Sequence, residues 1–196
     1  MTVRRSLWIV AALAAWAGCA PQPYTAGRLA GFPRQGERVA LLPFDNLTDS
    51  PDASRRYTQL LFDRISGEGS FELVPLAEVE PVLAKYRIRR ADLIDSLTAR
   101  SMGEDLRTRY LIVGTVLDLY DAADSRSGRA ELTVSLRVHS IPGGDVVWTC
   151  VDSRSGSDGE KPFGWGVILS SDKLASRSVD AIVEKINTTL QDQQKR

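Results

Sequence analysis

The chain has 196 residues, of which 43% are hydrophobic and 26% are charged, and its 25 basic residues balance its 25 acidic residues. This length supplies one full hydrophobic core, and the neutral balance disfavours both a protein that grips nucleic acid through its phosphates and an acidic disordered chain. Two cysteines exclude a disulfide-dense scaffold, and one histidine disfavours a histidine-rich metal site.

Residues 1–18 have the pattern of a secretory signal peptide. Arg4 and Arg5 form a positive start, and the apolar run 7–17 is too short to span a bilayer, which takes about 20 apolar residues. Because no second apolar run reaches spanning length, we expect a soluble body that is tethered to a membrane.

Cys19 is the predicted lipidation site. The sequence Trp16-Ala17-Gly18-Cys19 resembles a bacterial lipobox, apart from Trp16, where an aliphatic residue is usual. The resemblance implies cleavage before Cys19 and acylation of its thiol and its new amine with fatty acids such as palmitate, which would anchor the chain durably. Ala20 follows the cysteine, and by the enterobacterial sorting pattern this favours the outer membrane. The alternatives are an ordinary signal peptide with a chance cysteine and an uncleaved anchor.

The remaining chain divides into a linker, one domain and a tail. Residues 19–36 are rich in proline and glycine and lack periodicity, which is typical of a flexible linker. Residues 37–190 carry all the periodic segments and form the predicted domain, and residues 191–196 form a polar tail.

The first half of the domain predicts strands that alternate with helices. The apolar run 38–44 predicts a buried strand that ends at a proline, and a turn-rich segment follows it. Tyr57, Leu60, Leu61 and Ile65 share one face of a predicted helix. The predicted elements are strand 38–44, helix 53–66, strand 71–74, helix 76–86 and two short helices within 90–107, of which the first has Leu93, Ile94 and Leu97 on its apolar face.

The second half predicts a meander and a final helix. Residues 110–117 are apolar on both faces, which favours a central strand. Residues 130–141 alternate between apolar and polar, and a glycine-rich turn leads to the antiparallel partner 146–153, where Cys150 shares a face with Val146 and Trp148. A polar loop and a helix over 170–190 complete the chain. The order β-α-β-α-α-β-β-β-α predicts an α+β fold, with helices packed on one mixed sheet.

Three motifs follow one another along the chain: residues 39–48 (VALLPFDNLT), residues 110–116 (YLIVGTV) and residues 136–148 (LRVHSIPGGDVVW). In this order they resemble the "VAVLPFxNLT" opening, the "YLVTGSV" strand and the "LRLIDVETGEVVW" hairpin of the curli-secretion (CsgG-like) lipoprotein superfamily. That superfamily includes the LpoB-like activators of peptidoglycan synthases and resembles the TolB N-terminal domain. The resemblance implies the soluble periplasmic core of that group. Curli channels add long amphipathic hairpins whose strands need about 9–11 alternating residues. Segments 118–129 and 153–166 are short and polar, which disfavours a pore subunit.

No segment carries a recognisable catalytic signature. His139 is interpreted as a solvated strand residue, with an acid or base in catalysis as the less favoured alternative. Cys150 is interpreted as a buried, inert thiol, with a reactive thiol as the less favoured alternative. Two sets of carboxylates, at 45, 49 and 52 and at 118, 121 and 124, have the spacing of turns rather than of a calcium loop. Arg87, Arg89 and Arg90 form a small basic cluster at a solvated helix edge, with contact to lipid or a partner as the alternative.

Two aromatics in a glycine-flanked loop, Phe163 and Trp165, suit a recognition surface. The alternative, equally weighted, is that Trp165 folds back as a lid on the core. Asn46 and Leu47, in the loop after the first strand, complete the set of predicted partner contacts.

The leading hypothesis is a non-enzymatic lipoprotein of the outer membrane, with its body in the periplasm and without cofactor or metal. It would dock another envelope protein in the assembly or regulation of an envelope system, such as secretion or peptidoglycan synthesis. The alternatives are a ring-forming subunit of a curli-type secretion complex without transmembrane hairpins of its own, which would be a homo-oligomer, and an envelope hydrolase with an unrecognised site, which replacement of His139 would test.

Overall fold

The computed structural model describes residues 23–27, 31–160 and 165–195. Within these residues it has seven strands, four α-helices and one 3₁₀ helix. The strands are β1 (Tyr24–Gly27), β2 (Arg38–Leu41), β3 (Asp45–Asn46), β4 (Glu72–Leu73), β5 (Tyr110–Tyr120), β6 (Glu131–Ser140) and β7 (Asp145–Ser155). The helices are α1 (Ala53–Glu68), α2 (Leu76–Lys85), α3 (Ser96–Asp105) and α4 (Ser171–Gln194), with the 3₁₀ helix over Ala91–Leu93.

The strands form one mixed sheet in the order β1-β7-β6-β5-β2-β4, and β3 pairs with β5 beyond the end of β2. The pairs of β2 with β4 and of β2 and β3 with β5 are parallel, whereas β5, β6, β7 and β1 pair as an antiparallel meander. The predicted α+β class is therefore confirmed, and so is the order of the predicted elements.

The larger core lies between one face of the sheet and helices α1 and α4. Leu132, Val134, Leu136 and Val138 of β6 point into it, as their alternation predicts. The α4 residues Val179, Ile182 and Ile186 cover them with the expected apolar stripe. Helix α1 continues past Gly67 and ends at Gly69, which has the positive φ of a left-handed helix cap.

A smaller core lies on the other face, where α2, α3 and the 3₁₀ helix cover β2 and β5. Ala40 and Leu42 and their neighbours Leu111 and Val113 point into it. Strand β5 is therefore buried on both faces between β6 and β2, which confirms the central position that its apolar run predicts.

The prediction of an apolar helix face at Leu93 and Leu97 is wrong, because these side chains are 70% and 74% exposed. Leu93 belongs to the 3₁₀ helix and Leu97 to α3, so the two do not share one helix face. Helix α3 instead turns Ala99, Met102 and Gly103 toward the sheet.

The predicted common face of Val146, Trp148 and Cys150 is also wrong at its first residue. A β-bulge places Val138 opposite Trp148 but His139 opposite Val146, so Val147 is the extra residue. Val147, Trp148 and Cys150 are consequently buried, whereas Val146 is 45% exposed.

Part of the predicted linker 19–36 belongs to the folded body. Strand β1 pairs with the edge of β7, with Tyr24 opposite Val151 and Gly27 opposite Trp148. Phe32 is buried, and its ring packs against those of Phe71 and Trp148 at centroid distances of 5.9 and 5.5 Å. Proline and glycine exclude a helix here, but they are compatible with a short edge strand, and one aromatic anchor is enough to dock the segment.

Candidate docking surface

The carboxyl ends of the parallel strands and the amino ends of two helices meet at one end of the sheet. Helices α1 and α4 both begin here, and Arg56 joins them through an ion pair of 3.0 Å with Asp172. The Asp121 carboxylate, just after β5, accepts a hydrogen bond of 2.7 Å from the Ser171 amide at the start of α4. We call this end of the molecule, formed by residues 46–52, 120–122, 156–160 and 165–170, the loop end.

Trp165 and Leu169 are exposed at the loop end, with 73% and 61% of their surface accessible. The buried Ile168 between them fixes the segment, since its amide donates to the Gly156 carbonyl at 2.8 Å. The Leu169 carbonyl accepts from the Ala122 amide at 3.0 Å. The segment therefore crosses the end of the sheet from β7 to β5 and presents two large apolar side chains. The predicted contact Phe163 lies outside the described residues.

Asn46 holds its own turn together. Its Nδ2 donates to the Ser50 carbonyl at 2.7 Å, and its Oδ1 accepts from the amide and the hydroxyl of Thr48. Leu47 is presented by this turn with 55% of its surface exposed, and its amide donates to the Val116 carbonyl on β5. Of the two residues predicted in this loop, Leu47 is thus placed for contact and Asn46 positions it.

A cleft of about 780 Å³ opens between α1, the start of α2 and the start of α4. Its apolar lining comes from Pro43, Leu60 and Leu76, and its charged lining includes Arg55 and Glu80. Leu60 belongs to the predicted apolar face of α1, but it is 37% exposed and faces this cleft. No local sequence pattern indicates the cleft, because α4 is distant along the chain from α1 and α2.

The reactive side chains of the core are buried, and those of Tyr57 and Asp152 form hydrogen bonds within it. The Tyr57 hydroxyl hydrogen-bonds to the Ser178 hydroxyl at 2.7 Å, and burial, to which the negative charge of Asp152 adds, raises the pKa of Tyr57. Burial likewise raises the pKa of the Cys150 thiol to about 12, so the thiol stays protonated at neutral pH. Asp152 is 1% exposed and accepts from Nε of Arg154 at 2.7 Å, while its Oδ1 has no hydrogen-bond partner among the described residues.

Of the six carboxylates predicted to lie in turns, Asp45 and Asp118 instead lie in strands β3 and β5, and the other four lie outside the strands and helices. Asp45 accepts from the Ala91 amide at 3.1 Å, Asp52 pairs with Arg55 at 2.8 Å, and Asp121 caps α4. Within residues 23–27, 31–160 and 165–195, no three His, Cys, Asp or Glu side chains come together as metal ligands. Arg87, in the predicted basic cluster, has a φ of 54° and lies in the turn after α2.

His139 is half-buried on β6, opposite Leu111 of β5 and Val146 of β7. Burial, and secondarily the charge of Arg137, lowers the pKa of His139 below its ordinary value.

We expect His139 to make folding less favourable in acid. Because the pKa of His139 is lowered in the folded state, the unfolded state takes up the proton first as the pH falls. The contribution of neutral His139 to the free energy of unfolding is therefore complete above its ordinary pKa. It is lost as the pH falls toward and through the lowered pKa of the folded state. Urea unfolding of the wild type and of His139→Gln, at neutral pH and at about pH 5, should show a smaller acid loss in the variant. An equal loss in both proteins would contradict the assignment.

None of the helices in the described part of the chain is long and apolar enough to cross a membrane. Cys19 lies outside the described residues.

No known family model matches the chain, and no curated protein does. Solved structures do match. PelC from Paraburkholderia phytofirmans, a dodecamer, is 17% identical over 84% of this chain and 96% of its own, with a TM-score of 0.56. Lipoprotein GNA1162 from Neisseria meningitidis is 14% identical over 78% of this chain and 99% of its own, with a TM-score of 0.54. The C-terminal domain of LpoB from Salmonella enterica is 12% identical over 62% of this chain and 84% of its own, with a TM-score of 0.48.

These likenesses are likenesses of fold, because the identities are low. PelC and GNA1162 cover most of this chain, so its fold is one that a known lipoprotein has. The finer resemblance of the three motifs to the curli-secretion group stays a prediction.

Proposed function

We propose that this chain is a non-enzymatic lipoprotein, anchored in the outer membrane through Cys19, whose periplasmic body docks another envelope protein. The observation that carries the proposal is the cleft between α1, α2 and α4, which is concave, partly apolar and rimmed by charge. The exposed Leu47 on its rigid turn adds an apolar contact at the loop end. The fold of GNA1162, a lipoprotein, supports the anchored form.

An inert body supports docking rather than catalysis. The Cys150 thiol of β7 and the Tyr57 hydroxyl of α1 are buried in the larger core, where no substrate reaches them, and neither has a lowered pKa. Burial and secondarily the charge of Arg137 lower the pKa of His139, and no carboxylate in the described part of the chain contributes to that shift as it would beside an oriented base.

The anchor is tested with the two cysteines as a matched pair. We expect labelled palmitate to enter the wild type and Cys150→Ala but not Cys19→Ser, and Cys19→Ser to leave the membrane fraction. Cys150 is buried and serves as the control for the loss of a thiol elsewhere in the chain. The anchor proposal fails if the wild type takes up no label, or if Cys19→Ser still sediments with membranes.

Docking is tested by photo-crosslinking in cells, with a photoreactive residue at one position at a time. We expect a protein adduct from Leu47 and from Leu60, which line the proposed surface, and none from Leu97. Leu97 is a suitable control because it is 74% exposed but lies on α3, beside the β6–β7 turn at the far end of the sheet. Equal adducts from all three positions, or an adduct from Leu97 alone, would contradict the proposed surface.

A ring of this chain is the second candidate. PelC, which shares the fold over 84% of this chain, forms a dodecamer. Light scattering of the lipidated protein in mild detergent distinguishes the candidates, since a ring predicts a mass many times that of one mature chain. A monomer or dimer contradicts the ring.

A further inference from the structure

The direction of β1 fixes the end of the molecule from which the chain leaves toward Cys19. Strand β1 runs antiparallel to β7, with Gly27 opposite Trp148 and Tyr24 opposite Val151. Strand β7 continues from Val151 to Ser155 and then enters the turn 156–159 of the loop end. The amino end of β1 therefore points toward the loop end, and the chain before it starts out in that direction.

The chain before β1 is too short to hold the body far from its anchor. Cys19 precedes Tyr24 by five residues, which span at most about 17 Å. The four residues from Val151 to Ser155 advance about 13 Å along β7. An acylated Cys19 can therefore lie at most a few ångström beyond the loop end, and this limit keeps the body close to the membrane that the acyl chains enter.

The loop end carries side chains suited to a membrane surface. Trp165 and Leu169 are 73% and 61% exposed on a segment that Gly156 and Ala122 hold by backbone hydrogen bonds. Tryptophan favours the headgroup level of a bilayer, because its ring has an apolar body and one N–H donor. An exposed leucine beside it adds apolar area that enters the boundary of the acyl chains.

We propose that residues 165–169 of the loop end lie on the bilayer, with Trp165 and Leu169 entering the headgroup region, whereas the turn 46–52 that presents Leu47 stays accessible to the docked protein. The inference rests on the proposed acylation of Cys19. The favoured occupant is lipid rather than a protein, because the anchor brings the bilayer within reach of this end at all times. Leu97 is as exposed, but it follows Ser96, which lies beside Gly144 of the β6–β7 turn at the end of the sheet opposite the loop end.

Tryptophan fluorescence tests this placement directly. Residues 19–196 contain two tryptophans, the exposed Trp165 and Trp148, which is 4% exposed. The lipidated full chain is reconstituted in vesicles of phosphatidylethanolamine and phosphatidylglycerol, with and without lipid that is brominated high on the acyl chain. We expect brominated lipid to quench wild-type emission and to leave Trp165→Phe, which reports Trp148 alone, unquenched.

A matched pair of leucine variants distinguishes this contact from nonspecific binding of exposed apolar side chains to lipid. In the lipidated protein, Leu169→Ser should reduce the quenching of Trp165, whereas Leu97→Ser should leave it unchanged.

Emission of Trp165 that is insensitive to brominated lipid but quenched by aqueous iodide would overturn the inference. So would a Trp165 that becomes protected only when a protein partner is added, since the loop end would then be a protein contact. If Cys19 carries no acyl group, the anchor itself fails; if Cys19 is acylated and Trp165 stays in water, the membrane contact alone fails.

Discussion

Replacing Gly114 with alanine is expected to lower the free energy of unfolding by about 2–3 kcal/mol, because the space above this glycine is already filled. A Cβ at position 114 would lie 2.3, 2.5 and 2.6 Å from three atoms of the Phe44 ring. Phe44 is 4% exposed and packs on the Tyr57 ring at a centroid distance of 5.5 Å, so it cannot move aside without disturbing α1. Urea unfolding measures the loss.

Two further variants make this prediction specific. Gly67→Ala, at an exposed position in α1 with nothing within 4 Å of the added carbon, should raise stability by about 0.5–1 kcal/mol. In a Phe44→Leu background the side chain above Gly114 is smaller, so Gly114→Ala should cost less than in the wild type. If Gly114→Ala is as harmless as Gly67→Ala, the proposed contact with Phe44 is incorrect.

Replacing Arg154 with methionine is expected to cost about 3–5 kcal/mol, because it leaves the buried Asp152 carboxylate without its charged partner. Only 11% of the Arg154 side chain and 1% of the Asp152 side chain are exposed, so water cannot replace the lost ion pair. The carboxylate already has one oxygen without a hydrogen bond among the described residues, which makes the remaining bond more important. Denaturant unfolding at neutral pH gives the difference.

The paired variant shows whether charge is the cause. Asp152→Asn combined with Arg154→Met removes both charges and should recover much of the loss, since no ion is then left uncompensated. As a control, Arg55→Met breaks the exposed pair with Asp52 and should leave the free energy of unfolding nearly unchanged. A double variant that is less stable than Arg154→Met would show that shape, not charge, determines the effect.

Periodicity predicted those parts of the fold in which one face of an element meets a continuous core. Strand β6 alternates cleanly because its inner residues meet α1 and α4 while its other face stays polar. Helix α4 was predicted over 170–190 and runs over Ser171–Gln194, since its apolar stripe covers the length of the sheet. Strand β5 was recognisable from its apolar run because helices cover both of its faces.

The elements that periodicity missed depend on pairing rather than on pattern. Strand β1 has four residues and β3 has two, too few for an alternation to appear, and each exists because a longer strand offers it an edge. The β-bulge at Val147 changes the register of β7 against β6, so the Val146 side chain no longer shares the face of Trp148. No pattern in the local sequence predicts this change. Leu93 and Leu97 had helical spacing, but a break in the helix between them separates their faces.

The candidate site was partly accessible from the sequence. Trp165 and Leu47 were predicted as contacts from residue type and loop position, and both are exposed in the structure. Leu60 and Leu169 were not singled out as contacts, because the cleft and the loop end arise from segments that meet only in the folded chain. The predictions for Cys19 and Phe163 concern residues outside the described part of the chain.

The pairing of β1 with β7 has a practical consequence for how this protein can be shortened. A chain that starts at Arg38, where the strongly periodic sequence begins, would lack β1 and Phe32 and would leave residues 148–151 of β7 without a strand partner on that edge. An unpaired edge of this kind, next to a newly uncovered Trp148, is a template for aggregation. Recombinant forms that begin before Pro23 should stay monodisperse at concentrations at which the shorter ones precipitate.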